Sequence, residues 1–193
     1  MVPPNHRTGN PWKTLSTSRI YQNPWFDVRE DQVLRPDGQP GTYSVVSAAR
    51  TATGILPLWP DGSLTLVGQY RYAIGEYSWE IPEGGGNPAD DPESIARREL
   101  LEETGVQAET WEYMGRIHTS NCFVDEVCHL FLAKDLTAGT PQPDAVEVLR
   151  LRRESLATVV EMAVDGRITD SISVAAVFQL LARFNFKTED ARY

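Results

Sequence analysis

Three carboxylates, Glu99, Glu102 and Glu103, stand within five positions of one another in the run Arg98-Glu99-Leu100-Leu101-Glu102-Glu103-Thr104-Gly105-Val106. A helix advances about 100° per residue, so the three fall within about one quadrant of the same helix. Like charges on one stripe repel and weaken the helix that carries them. A divalent cation reverses that penalty. Hard oxygen ligands of this kind suit magnesium, with manganese as the alternative, and both ions act on phosphate groups. Arg98 lies four residues before Glu102, within reach of a charge-assisted hydrogen bond that would hold that carboxylate in place. Upstream, Gly84-Gly85-Gly86 reads as a turn, where glycine lets backbone carbonyls come close to a cation. An acidic helix by itself is commonplace; the glycine-rich segment before this one and the glycine after it make a functional reading the stronger one.

The helix that carries these acids is predicted over residues 92–103. Asp91 is its N-cap, Pro92 takes the first helical position and Gly105 stops it. Ile95, Ala96, Leu100 and Leu101 cover its other faces. Before it, residues 19–34 carry Ile20, Tyr21, Trp25, Phe26, Val28 and Val33. Pro36-Asp37-Gly38 is a turn, and Tyr43-Ser44-Val45-Val46 resumes an extended pattern, so this stretch reads as an antiparallel meander. Strands follow at 53–59 and 63–70, joined by Pro60-Asp61-Gly62, and at 78–81, ending on Pro82. Beyond the helix, 109–119 and 124–134 are extended, 138–143 is a loop and 146–151 is a strand. Residues 154–165 and 171–186 are amphipathic helices separated by Gly166. The fold class is mixed α/β (α+β), with curved mixed sheets flanked by helices. Residues 1–18 read as a loose lead-in, 19–47 as a small N-terminal β-subdomain and 48–193 as the main domain.

The chain has 193 residues, enough for one domain with a subdomain and a sizeable core. A formal net charge of -9 argues against a general grip on nucleic acid. A polyanionic substrate would need a local cation. Two cysteines, Cys122 and Cys128, are too few for a disulfide framework, and no apolar run reaches membrane-spanning length. A cytoplasmic protein that binds neither membrane nor nucleic acid is the expectation. His118, Cys122, Cys128 and His129 fit no usual zinc spacing, and the glycine run lacks the Gly-Lys-Ser/Thr of a P-loop.

Residues 84–106 resemble the signature of the Nudix hydrolase family, a glycine and a glutamate followed by Arg-Glu-hydrophobic-any-Glu-Glu-any-Gly-hydrophobic. The second half matches at every specified position, and the early glutamate falls on Asp90. Gln69-Tyr70-Arg71-Tyr72, then Ser78-Trp79-Glu80-Ile81-Pro82-Glu83-Gly84, resemble the family's ADP-ribose pyrophosphatase branch. That branch has a Gln-aromatic-Arg strand and a Glu-hydrophobic-Pro-small-Gly run. Gly166-Arg167-Ile168-Thr169-Asp170 resembles the branch's Gly-any-Ile-any-Asp stretch, and the likeness covers roughly residues 20–182.

The resemblance implies a Nudix fold and a metal-dependent hydrolase of a diphosphate linkage. It implies Mg2+ (or Mn2+) held by Glu99, Glu102, Glu103 and the backbone carbonyl of Glu83, with Arg98 beside them. ADP-ribose is the first substrate to expect, giving AMP and ribose 5-phosphate. Another sugar nucleotide, a dinucleotide polyphosphate or an oxidised nucleotide is the alternative. A non-catalytic ligand sensor of the same fold usually loses box glutamates, and this chain keeps all three. The resemblance also implies a homodimer whose N-terminal subdomain packs across the partner. Trp25 and Phe26 are then candidates for adenine stacking, and Arg50 and Arg71 for phosphate or ribose contacts. The base that activates water is expected after the box, at Glu147 in preference to Asp144. Glu126 is a third candidate, for the base or for a metal or substrate contact.

Overall fold

A computed structural model of the protein describes residues 9–142 and 148–185. The chain forms two compact units. One holds the described residues up to Ala49 together with Ser120–Asp125, and the other holds Arg50–Thr119 and the described residues from Glu126 onward.

The first unit is an antiparallel sheet of β1 (Lys13–Gln22), β2 (Phe26–Leu34) and β3 (Pro40–Ala48), in that order. Asn23 closes the first hairpin, because its Oδ1 accepts the N–H groups of Trp25 and Phe26, both at 2.8 Å. Gly38, with φ 79°, closes the second. β1 begins at Lys13, inside the span 1–18 read from sequence as a lead-in. All ten of its residues are exposed. The segment Ser120–Asp125 is fastened to β3. Val46 N–H donates to the Phe123 carbonyl at 2.8 Å, and Ser47 Oγ donates to Asp125 at 2.7 Å.

The second unit contains β4 (Thr51–Pro57), β5 (Ser63–Arg71), β6 (Glu76–Glu80), β7 (Glu83–Gly86), α1 (Pro92–Thr104), β8 (Gln107–His118), β9 (Val127–Thr137), β10 (Arg150–Ser155), α2 (Leu156–Val164) and α3 (Ser171–Asn185). One sheet is mixed, in the order β7-β4-β9-β8, with β4 parallel to β9. The other is antiparallel, β10-β5-β6. α1 covers one face of the mixed sheet through Ala96 and Leu100, packed with Ile55, Phe131 and Ala133. The larger core joins Leu56, Leu66, Ile81 and Leu130 to Met162, Ile172 and Leu180 of the two later helices. Curved mixed sheets with helices on their faces, preceded by an antiparallel β-subdomain, are the fold class expected from sequence.

Two local expectations need correction. The Gly84-Gly85-Gly86 run is not a turn but most of β7, paired antiparallel with β4. Glycine is needed there for room: a Cβ on Gly86 would lie 2.6 Å from Ile95 Cγ1. Of the strand read at 146–151, residues 146 and 147 lie outside the described residues; the strand that is described runs Arg150–Ser155, so Glu154 is in a strand and not a helix. Ser155 sets that boundary as the N-cap of α2, its Oγ accepting the Thr158 N–H at 3.1 Å. Among the described residues no helix is long and apolar enough to cross a membrane.

Candidate active site

α1 is fixed at both ends before any chemistry is considered. Asp91 caps it, its carboxylate accepting the Ser94 N–H at 3.1 Å, and Pro92 opens it. Gly105, left-handed at φ 71°, ends it with its N–H on the Leu101 carbonyl at 2.8 Å. The buried stripe Ile95, Ala96 and Leu100 seats the helix on the sheet and turns Glu99 and Glu103 toward β7. Glu103 is 4 % exposed, and its Oε2 accepts the Glu83 N–H at 3.0 Å. The Glu99 carboxyl lies flat over Gly84: a Cβ there would be 2.3 Å from its Cδ.

Arg98 clamps this array. Nη1 donates to Glu102 at 2.7 Å, and Nη2 donates to Glu99 at 2.7 Å and to the Gly85 carbonyl at 3.2 Å. Burial works against its charge, but Glu99 and Glu102 outweigh it and raise its pKa. The Glu102 side chain is the more open of the two, 37 % exposed against 12 % for Glu99. Arg50 Nη1 donates to the Gly85 carbonyl at 3.3 Å. Glu99, Glu102, Glu103, Arg98, Arg50 and the backbone of Glu83 are thus gathered around one short strand.

The opposite face of β7 holds a second acidic group that sequence reasoning missed. Successive strand residues point to opposite faces. Gly84 faces α1, while Glu83 pairs with Gly54, whose Cβ direction leads to Ile172 of α3. The Glu83 side chain therefore lies on the α3 face, where it meets Glu80 from β6 and Asp170. One oxygen from each of these three carboxylates lies within 4.8 Å of the other two. Asp170 is held there as a cap of α3, its Oδ2 accepting the Ser173 N–H at 2.7 Å. Ser173 Oγ in turn accepts the Ile81 N–H at 2.9 Å, which ties the helix start to the link between β6 and β7.

Arg71, expected as a substrate contact, is engaged by this group. Its Nε donates to Glu80 at 3.0 Å and its Nη2 to Glu80 and Glu83. Burial opposes the guanidinium charge, but the hydrogen bond to Glu80 and the charges of Glu83, Glu80 and Asp170 push its pKa up. Glu83 shifts the other way for an acid to stay charged. Burial, then Asp170 and Glu80, raise its pKa well above the ordinary value, and Arg71 offsets only part of this. Its Oε2 is buried with no hydrogen-bond partner among the described residues. An orphaned carboxylate oxygen among hard oxygen donors fits a divalent cation, so this triad could coordinate one. The signal for it was present in the sequence: Glu83 stands where the branch pattern has a small residue.

In the first unit Trp25 precedes β2 and Phe26 begins it; Trp25 is 65 % exposed, and Phe26 packs on Tyr21 with ring centroids 5.8 Å apart. Glu126, just before β9, accepts from Thr119 Oγ1 at 2.8 Å. Asp144 and Glu147 lie outside the described residues. Cys128 is buried, and burial followed by Glu83, Glu126 and Asp170 raises its pKa, so the thiol stays neutral.

Comparison with known proteins agrees with this geometry. Residues 48–170 match the NUDIX domain model, and residues 12–46 match that of the nucleoside diphosphate sugar hydrolase N-terminal domain. An ADP-ribose pyrophosphatase of Mycobacterium tuberculosis is 32 % identical over 174 residues, covering 89 % of this chain and 84 % of that one. A methanol dehydrogenase activator of Bacillus methanolicus is 31 % identical over 170 residues, covering 86 % and 90 %. A crystal structure described as an ADP compounds hydrolase superposes with a TM-score of 0.82 at 21 % identity, over 92 % of this chain and 96 % of that one.

Proposed function

The chain belongs to the Nudix family, in its ADP-ribose-pyrophosphatase-like branch, and from that membership we propose that it hydrolyses the diphosphate bridge of ADP-ribose to AMP and ribose 5-phosphate. The protein is a Nudix pyrophosphohydrolase, an enzyme acting on acid anhydrides, and its substrate is a nucleoside diphosphate derivative. ADP-ribose is favoured because relatives named ADP-ribose pyrophosphatase, in Mycobacterium tuberculosis and Bacillus subtilis, align over most of the chain.

The observation that carries the mechanism is the seating of Glu99 over Gly84, with Glu103 tied to the next residue along β7. Glu99, Glu102, Glu103 and the Glu83 carbonyl would hold magnesium. A divalent ion held by these residues would supply neutralisation of phosphate oxygens and a lowered pKa for a bound water. The protein's own part is positioning. Arg98 fixes Glu99 and Glu102 relative to each other, so the carboxylates need little rearrangement when charge is brought to them. The proton of the attacking water passes to a carboxylate, Glu147 in preference to Asp144, with Glu126 as the third choice. Arg50, on the Gly85 carbonyl, supplies positive charge beside the α1 acids, and Arg71, held by Glu80 and Glu83, is the second candidate for a phosphate or ribose contact. Trp25 and Phe26 offer faces for adenine.

A homodimer goes with this reading. β1 is exposed along its length, and Leu15, Ile20, Tyr21 and Trp25 present apolar surface in the first unit. A second reading keeps the chemistry and changes the sugar or base. It is favoured by the match of residues 12–46 to a nucleoside diphosphate sugar hydrolase domain. The deciding experiment is magnesium-dependent turnover on a panel of ADP-ribose, ADP-sugars, GDP-mannose, dinucleotides and nucleoside triphosphates. Preference for ADP-ribose by kcat/KM is the expected result. A higher kcat/KM on any other substrate refutes the assignment, and no turnover at all refutes the enzyme.

A further inference from the structure

Two acidic groups lie back to back across β7, and the proposed hydrolysis draws on the α1 group alone for its metal ligands. On the α1 face, Arg98 partly neutralises Glu99 and Glu102. On the α3 face, Arg71 is the cation paired with Glu80 and Glu83, while Asp170 stands beside them. The Glu80 side chain is 3 % exposed and that of Glu83 11 %, so water does little to screen either charge. Among the described residues one guanidinium faces three carboxyl groups, so a proton or a cation must supply the balance in a nearly closed site. Glu83 Oε2 is the atom that shows it, being buried and without a hydrogen-bond partner among the described residues.

We propose that Glu80, Glu83 and Asp170 form a second divalent-cation site, separate from the one on α1. Its ligand is a hard cation of the magnesium, manganese or calcium class. The donor set is all carboxylate, and the ligand oxygens lie within 4.8 Å of one another, compatible with contacts of about 2.0–2.6 Å to a shared ion. The site is built from rigid parts. Asp170 is locked as the cap of α3, and Ser173 fastens that cap to Ile81, midway between Glu80 and Glu83 in sequence. Among the described residues nothing pairs with Glu83 Oε2, which leaves one acceptor of the group open to a ligand. Arg71 then has two roles. It shares the acids with the cation, and its charge, repelled by the ion, is free to turn toward a phosphate.

The test is Mn2+ binding to the full chain without substrate, read as bound equivalents by electron paramagnetic resonance and as anomalous scattering from Mn2+-soaked crystals. Wild type is expected to show an anomalous peak between Glu80, Glu83 and Asp170, apart from any peak at Glu99 and Glu103. Glu83→Gln and Asp170→Asn should each lose one equivalent, while Glu99→Gln loses a different one. If Glu99→Gln binds as wild type does but Glu83→Gln loses an equivalent, the site proposed here stands and the role of the α1 glutamates falls. No peak among the three carboxylates, with Glu83→Gln and Asp170→Asn binding as many ions as wild type, overturns the second site. The wild-type crystal decides the matter even if a variant fails to fold.

Discussion

Gly84→Ala isolates the placement of Glu99 without touching a carboxylate. The added methyl would lie 2.3 Å from Glu99 Cδ and Oε2 and 2.8 Å from Oε1. Ordinary non-bonded contact begins at about 3.5 Å, so Glu99 or β7 must move by roughly 1 Å or more. The carboxylate cannot simply swing aside, because Arg98 holds it at 2.7 Å and its side chain is 12 % exposed. Gly84 does not have a positive φ, so the backbone itself accepts alanine. Overpacking of this kind costs about 1–3 kcal/mol, or roughly 2–12 °C in Tm for a chain of this size. A displacement of about 1 Å in a group that positions the reaction costs on the order of 100-fold in rate. Steady-state hydrolysis at saturating magnesium, beside a thermal melt, measures both. The expected outcome is kcat about 100-fold down with a folded protein and the Tm loss above. Wild-type kcat in a protein that carries the Tm loss would refute the reasoning, because Glu99 would have been displaced without consequence.

The pH dependence of stability follows from Glu83. Its folded pKa is raised, so the folded state holds the proton more tightly; the resulting stability is full below the ordinary 4.5 and is lost as pH rises through the folded value. The metal-free protein should lose Tm as pH is raised above the ordinary 4.5, magnesium should restore more Tm at the high-pH end, and Glu83→Gln should flatten the metal-free slope, all read by calorimetry. Ser173→Ala strands the buried Ile81 N–H and should cost about 1–3 kcal/mol in urea unfolding. Trp25→Ala, if the ring stacks on adenine, should raise KM by about 5- to 150-fold with kcat little changed, since stacking contributes about 1–3 kcal/mol per base; an unchanged KM removes Trp25 from the substrate site.

The parts of the fold legible in the sequence were those that local chemistry decides. α1 could be read end to end because Asp91, Pro92 and Gly105 each act within one turn of it. β7 could not, since three glycines have no strand preference; the pairing with β4 and the volumes of Glu99 and Ile95 make that segment a strand. The Arg150–Ser155 strand was displaced in the reading because Glu154 fits a helix by composition, while the cap at Ser155 begins the helix one residue later. The acids on α1 are close in sequence and visible at once. Glu80 and Glu83 are brought to Asp170 by a contact between Ile81 and Ser173, separated by 92 positions, and nothing in either segment announces the other. Arg71 reads from sequence as a phosphate or ribose contact; its partners on Glu80 and Glu83 belong to the folded chain alone.

The carboxylates of α1 are held in register by Arg98 and β7, and the account stands or falls on their use in hydrolysis. Glu99→Gln removes one negative charge at nearly constant volume. Loss of a metal-ligating charge of several kcal/mol corresponds to about 100- to 10,000-fold in rate. The measurement is kcat on ADP-ribose across a magnesium titration, with circular dichroism and Tm on the same samples. The prediction is a fall of that size in a protein that keeps its secondary structure. A kcat within about tenfold of wild type at every magnesium concentration would contradict it.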